Sequence, residues 1–362
     1  MLDTSISQLL RAVDDAKHQI IALDLEAKLF DHDGSGPIAD ARMEQLMRHL
    51  QGRTLIKRRF VYCGLIITVS GILEQYLDAL VAEYVQTITS IASNADELPK
   101  EIGTNHLELS LTYLNAVARD SYRGDDSAEQ IISRLYGALC VKNEFVVNER
   151  AFAFRRANYR CDLVNQVFAR VGVGGILQRL YESVTFSEYL RLQREADDSR
   201  NFDKSSVLKQ LDDLAERRND VAHGNITQIL SHDLVLPFVE FVEAFGSGIH
   251  EVLIEELFRV IANRPAVFHQ PFRVIDNSIV CIQGINYVVR VGDFVVAAVP
   301  ASNRFLGGII TNLQVNNRDV EFVDGSAMPV DVGLEVDAPL KANYWYGVVP
   351  RERICRVAMR SE

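Results

Sequence analysis

The apolar residues of this chain repeat in two different ways, and the change falls near residue 264. Before it they recur every three to four residues; after it they alternate. A side-chain period of 3.6 belongs to helices and a period of two to strands, so one continuous architecture cannot serve both halves. The sequence therefore predicts a multidomain α + β protein. An N-terminal helical extension is expected over residues 1–52, a helical bundle over 53–263, and a small all-β barrel or sandwich over 264–362.

In the first part, Leu9, Leu10, Val13, Ile20, Ile21, Leu25 and Leu29 predict a helix over 2–30, stopped by the turn cluster DHDGSGP at Asp31 to Pro37. A short helix is expected over 39–50 and a long one over 54–92. Others are expected over 105–120, 126–141, 150–171, 174–182, 186–196, 204–223 and 233–262. Gly64 and Gly71 lie seven apart on one face of the long helix, where a neighbouring helix is expected to come close. After Pro265, β-branched runs such as FRVIDNSIVCI, FVVAAV and GGIITNLQV, parted by Gly, Asn, Asp and Pro, predict five or six short strands. Their order is similar, over about half of this segment, to SH3-like or Tudor-like barrels.

Charge narrows the function classes only a little. The net charge is −11, of which −1 falls in residues 265–362 and −10 in the helical part, so no global basic field advertises a nucleic-acid partner. The five cysteines are scattered and never form CxxC, which argues for free thiols and against a zinc cluster. The first ten residues, MLDTSISQLL, lack the basic start and long apolar core of a signal peptide. The most apolar stretch, Phe60 to Leu73, runs 14 residues against the 20 or so that a membrane span needs. A cytoplasmic protein without a membrane partner is expected, with no cofactor and no metal.

GxxxxGK[ST], GxSxG, HExxH and a strand-borne GxGxxG are all missing from the sequence. The GVGG at Gly172 to Gly175 falls between helices and is expected to be a turn. What remains is LDDLAERRNDVAHGN, Leu211 to Asn225. Here a helix is expected to end at His223, with Gly224 as the left-handed residue that terminates it. Asn219 and His223 are four apart and share a face, with Arg218 beside them and Asp220 as a supporting candidate. An arginine, an amide and an imidazole suit RNA phosphodiester cleavage. The first neutralises the phosphate, the second orients it, and the third moves protons. The looser pattern, an Arg followed after four to six residues by a His, recurs at Arg11/His18, Arg42/His49 and Arg264/His269. Only Arg218/His223 has Asn directly after the Arg, an apolar helix before it, and Gly after the His.

RNDVAHGN resembles the signature of HEPN domains, in which Arg-(Asn/Asp/His)-x-x-x-His closes a helix of a small bundle. Upstream, Gly64 to Val85 is similar to the opening helix of the RiboL-PSP-HEPN group and a related HEPN group, including a mid-helix acid, here Glu74. Asn158 to Leu177 resembles the segment those groups place before the signature helix. The resemblance spans roughly residues 55–262. It implies a homodimer formed through the helical domain, in which paired Arg218 and His223 residues, with Asn219, cut RNA without metal. The products would be a 2′,3′-cyclic phosphate and a 5′-hydroxyl, and the role antiviral defence or toxicity, with a regulatory protein or antitoxin as a further partner. One HEPN toxin group is modified on a Tyr two residues after the His; Asn225 stands there in this chain. The alternative is a non-catalytic dimeric scaffold, or a module binding RNA or protein, with the β domain as the working part.

Outside the signature, Glu74 is either a supporting residue or the structural partner of a buried arginine, Arg218 included. Arg150, Arg155, Arg156 and Arg160 are expected to cluster on one helix, and Lys57 to Arg59 begin another; either group could track an RNA backbone. Strand alternation sends Trp345 one way and Tyr344 and Tyr346 the other, with Trp345 expected in the core.

Overall fold

The computed structural model describes residues 2–30, 54–92, 94–119, 126–141, 145–196, 203–226, 228–262, 267–300, 302 and 304–351. The helix expected over 39–50 lies outside them. Described residues form two compact units: Leu2–Glu83 with Glu149–His250, and Tyr84–Asn148 with Glu251–Glu362.

Among the described residues the first unit contains helices and no strand. It contains α1 (Asp3–Phe30) and the first turns of α2 (Thr54–Ile91). Short helices α5 (Glu149–Ala153), α6 (Cys161–Ala169) and α7 (Ile176–Leu180) follow, then α8 (Val184–Ala196), α9 (Lys204–His223) and most of α10 (His232–Ala262). α1 buries Leu9, Val13, Ala16 and Ile20, and α2 buries Ile66, Val69, Leu73 and Leu77, each a stripe at helical spacing. Glu83 accepts the backbone N–H groups of Thr4 and Ser5, at 3.2 and 3.0 Å, so a carboxylate satisfies the exposed donors that begin α1. Tyr76 donates its hydroxyl to the Gly246 carbonyl at 2.7 Å, joining α2 to α10. By length and composition α2 is long and apolar enough to cross a membrane, yet 44% of its most apolar window is buried inside the protein.

Two expectations about this unit change. The helix predicted over 150–171 is broken: α5 ends at Ala153 and α6 begins at Cys161. Arg150 is therefore on α5, whereas Arg155, Arg156 and Arg160 occupy the connecting segment. Close helix approach also occurs elsewhere than predicted. Among the described residues nothing lies within 4 Å of a Cβ built on Gly64 or Gly71, whereas one on Gly246 would sit 2.3 Å from Leu9 Cδ2. One on Gly248 would sit 2.5 Å from Leu180 Cδ1.

The second unit joins the end of α2 to α3 (Lys100–Ala118) and α4 (Ala128–Tyr136), which continues as a π-helix over Gly137–Val141. It also holds the end of α10 and the antiparallel β domain. The strands are β1 (Phe268–His269), β2 (Arg273–Ile275), β3 (Ile279–Ile285), β4 (Val288–Arg290), β5 (Phe294–Ala298), β6 (Phe305–Val315), β7 (Arg318–Asp319), β8 (Phe322–Asp324), β9 (Val330–Val336) and β10 (Trp345–Val349). The main sheet runs β1-β10-β5-β6-β9-β3-β2, a half-barrel, with β7 on β6 and a separate β4-β8 pair. The five or six expected strands are thus subdivided. FRVIDNSIVCI turns at Asp276 and Asn277 (φ 49° and 54°), and the chain turns again at Asn316 and Asn317 (φ 52° and 59°). Each turn carries two adjacent left-handed residues, a conformation that Asn and Asp tolerate. Val280, Ile282, Val295, Ile310, Leu313, Leu334 and Tyr346 fill the sheet's core. Arg304, just before β6, donates Nε and Nη2 to Glu255 of α10 at 3.2 and 3.1 Å.

Trp345 is 46% exposed, while Tyr344 and Tyr346 are buried. The alternation was read correctly but with its faces exchanged: Tyr346, not Trp345, is the core residue. Tyr346 Oη accepts the Lys341 N–H at 2.8 Å and donates to the Lys341 carbonyl at 2.7 Å, so its polar tip is satisfied inside.

Candidate functional site

α9 starts with Asp203, whose carboxylate accepts the Ser205 N–H at 2.9 Å, and ends where the sequence predicts. Gly224 has φ 74° and ψ 9°, a left-handed conformation that a residue with a Cβ resists. Its N–H returns to the Asp220 and Val221 carbonyls, and the Asn225 N–H donates to the Asp220 carbonyl at 2.9 Å. Leu208, Leu211, Leu214 and Ala215 bury one side of the helix. The last turns rise clear of that side, so Arg218 and Asn219 are half-buried and His223 is exposed.

Two adjacent arginines are used differently. Arg217 donates to Asp213 at 2.9 Å and to the Tyr62 hydroxyl at 3.2 Å, and lies over the Phe238 ring. Arg218 and His223 meet no side-chain hydrogen-bond or ion-pair partner among the described residues. Asp220 lines a cavity of about 180 Å³ with Tyr62, Asp213, Glu216 and Arg217, on the side of the helix that Arg217 occupies.

Asn219 has a partner that the residue pattern did not single out. Asn158 Nδ2 donates to Asn219 Oδ1 at 2.6 Å. A second addition is Arg59, whose Nη2 donates to the Gly224 carbonyl at 3.4 Å and so brings a guanidinium to the helix end beside His223. The run Lys57 to Arg59 was a weak pointer to Arg59. Nothing in the sequence near Asn158 marked it apart from its place at the head of the segment resembling other HEPN chains.

Glu74 does not pair with Arg218. It faces Arg155 Nη2 at 3.2 Å, and Asp78, one turn further along α2, accepts Arg155 Nε and Nη2. The Tyr159 hydroxyl donates to the same Asp78 at 2.8 Å, and the Arg155 guanidinium lies 4.3 Å over the Tyr159 ring. Burial pushes the Asp78 carboxyl above its ordinary range, against the pull of Arg155 and the Tyr159 hydroxyl. Arg155 is therefore committed within the protein, while Arg156 and Arg160 are exposed and Arg150 is half-buried. Of the four arginines named from sequence, those two present charge to solvent without the helix that was expected to align them.

The four described cysteines, Cys63, Cys140, Cys161 and Cys281, are free thiols. Burial, with Asp212 close by, drives the Cys161 thiol up to about 12, away from the thiolate form that a nucleophile or metal ligand needs. Arg218, Asn219 and His223 lie in the last two turns of α9, where Asn158 and Arg59 of the same unit also make contact. Residues 43–259 match the model of the RiboL-PSP-HEPN family, which covers more than half of the chain. No curated protein matches it.

Proposed function

The chain belongs to the RiboL-PSP-HEPN family, and from that premise we propose that it is a metal-independent endoribonuclease that works as a homodimer. The supporting observation is the contrast on α9: Arg217 is consumed by Asp213 and Tyr62, whereas half-buried Arg218 and exposed His223 meet no side-chain partner among the described residues.

In this reading Arg218 holds and neutralises the scissile phosphate as negative charge builds on it, and Asn219 orients the same group. One His223 takes the proton of the ribose 2′-hydroxyl as that oxygen attacks phosphorus. The His223 of a second copy gives a proton to the departing 5′-oxygen. The P–O5′ bond breaks, leaving a 2′,3′-cyclic phosphate and a 5′-hydroxyl. No oxidant and no cofactor enters the balance. Exposed Arg156 and Arg160 supply backbone contacts. A toxin or antiviral role, control by a protein antitoxin, and a cytoplasmic setting follow from the same reading.

His223→Ala tests it. The variant is expected to keep the fold and the dimer and to lose EDTA-resistant cleavage of single-stranded RNA. A wild-type protein without such cleavage overturns the enzyme reading in favour of a binding scaffold. Cleavage that survives the substitution overturns the choice of residues.

A further inference from the structure

The segment between α5 and α6, residues 154–160, is tied down at more points than a connector needs. Arg155 binds Asp78 twice, faces Glu74, and donates Nη1 to the Ala157 carbonyl at 2.7 Å, folding the segment onto itself. Tyr159 is buried and donates to Asp78. At the far end the Cys161 N–H, the first of α6, donates to Asp212 Oδ1 of α9 at 3.0 Å. Asn158 lies between these anchors. Asp212 and Asn219 are two turns apart on α9, about 10 Å of rise. Three extended residues span about the same length, and Arg160 is extended at φ −130° and ψ 167°. The segment is thus laid along α9, fixed to α2 on one side, and delivers one side-chain amide to Asn219.

We infer that Asn158 is a positioning residue, with Arg155, Asp78 and Tyr159 as the clamp that holds it. The inference rests on the nuclease reading above and assigns a part of that site which the family signature does not contain. A side-chain amide has an acceptor edge and a donor edge, and a phosphate accepts hydrogen bonds from the donor edge alone. Asn158 occupies the Asn219 carbonyl at 2.6 Å. It thereby turns the Asn219 NH2 group away from itself, as the donor that a phosphate requires. Without Asn158 the amide rotates, and its carbonyl can face the anion. Such a defect weakens the transition state, where phosphate charge is greatest, more than the ground state.

The test compares Asn158→Ala, Asn158→Asp, Asn219→Ala and the double variant N158A/N219A in the full chain. The substrate is a fluorescent single-stranded RNA of mixed sequence in EDTA. Asn158→Ala is expected to lower kcat about tenfold with KM little changed, at an unaltered melting temperature. Asn158→Asp has the same size but only accepts hydrogen bonds. It is expected to lose more, because it draws the Asn219 NH2 toward itself and turns the carbonyl outward. The double variant is expected to be no slower than Asn219→Ala alone, since the two residues act as one unit. Wild-type kcat in Asn158→Ala, or additive losses in the double variant, overturns the inference while leaving the nuclease reading intact. A 2′-deoxy copy of the oligonucleotide, which cannot be cleaved, separates the two claims. If the wild type does not cut, yet binds this probe and loses binding equally in Asn158→Ala and Asn219→Ala, positioning stands and the nuclease reading falls. If it neither cuts nor binds, both fall.

Discussion

Arg155 grips Asp78 with two parallel hydrogen bonds, Nε to Oδ1 at 3.1 Å and Nη2 to Oδ2 at 3.2 Å, and its own side chain is only 12% exposed. The pair joins the loop before α6 to the middle of α2. Removing the arginine would leave Glu74 and Asp78, one turn apart on one helix, facing each other without a cation. Breaking a fully buried pair costs about 3–5 kcal/mol. The Asp78 side chain is 40% exposed, so Arg155→Ala is expected to cost less, about 2 kcal/mol, in urea unfolding. Asp78→Asn, which leaves Glu74 to the arginine, is expected to cost less still. A cost for Arg155→Ala within experimental error of zero would show that the clamp does not hold the loop.

The neighbouring arginines of α9 should separate stability from activity. Arg217→Ala loses Asp213, Tyr62 and the Phe238 face and is expected to unfold about 1–2 kcal/mol more easily. Arg218→Lys keeps the charge but lacks the planar fork that binds a phosphate through two N–H groups. It is expected to leave the melting temperature unchanged and to slow RNA cleavage at least about tenfold. The reverse pattern, a stable Arg217 variant beside a destabilised Arg218 variant, would mean that the roles have been exchanged.

Glycines show where sequence was legible and where it was not. Gly64 and Gly71 are spaced as a helix-contact pair, but spacing gives a face and not its neighbour; a Cβ on either would meet nothing within 4 Å among the described residues. Gly246 and Gly248, two apart on α10, have no such pattern, and tertiary packing alone presses Leu9 and Leu180 onto them. Gly248→Ala is expected to cost about 1–3 kcal/mol by overpacking. Gly64→Ala is expected to be neutral or to stabilise by up to about 1 kcal/mol, as alanine does inside a helix. Thermal melts of the two variants decide it, and a harmless Gly248→Ala would refute the close contact.

The same division runs through the site. The ends of α9 and the turn at Gly224 follow from local chemistry, a capping Asp203 and a glycine that accepts φ 74°, so they could be read from residues alone. The partners of Glu74 and Asn219 depend on a loop that breaks a predicted helix and sets Arg155 against α2, and periodicity carries no record of that. Asn158 and Asn219 are 61 residues apart, and only the fold brings their amides together.

Acid should weaken the second unit through His106. This ring is buried, and its Nε2 accepts the Asn148 N–H at 3.0 Å, a role open only to neutral imidazole. Burial holds its pKa down at about 4. Between that value and the ordinary 6.5, the unfolded chain binds a proton that the folded chain refuses, so stability falls as pH falls. The loss is expected to approach about 1.4 kcal/mol per pH unit across that window and to be absent above pH 7. His106→Gln should lower stability at pH 7 and flatten the pH dependence. An unchanged slope between pH 6.5 and 4.5 would assign the acid sensitivity to other groups.

Trp345 is the single tryptophan of the chain, which turns the exchange of faces on β10 into a spectroscopic question. A core indole emits at short wavelength and resists acrylamide; a ring 46% exposed emits further to the red and is quenched. Native fluorescence is expected to show the second behaviour, and Trp345→Ala to cost under about 1 kcal/mol. Tyr346, next along the strand, is fully buried and hydrogen-bonded at both sides of its hydroxyl to Lys341. Tyr346→Phe keeps the ring but leaves the Lys341 N–H and carbonyl unmatched, at about 1–3 kcal/mol, and Tyr346→Ala adds a cavity, for about 3–5 kcal/mol in all. A blue, unquenched tryptophan with a tolerant Tyr346 would restore the assignment that strand alternation first suggested. It would also leave the exposed face of β10 without the aromatic ring that a stacking base or peptide could use.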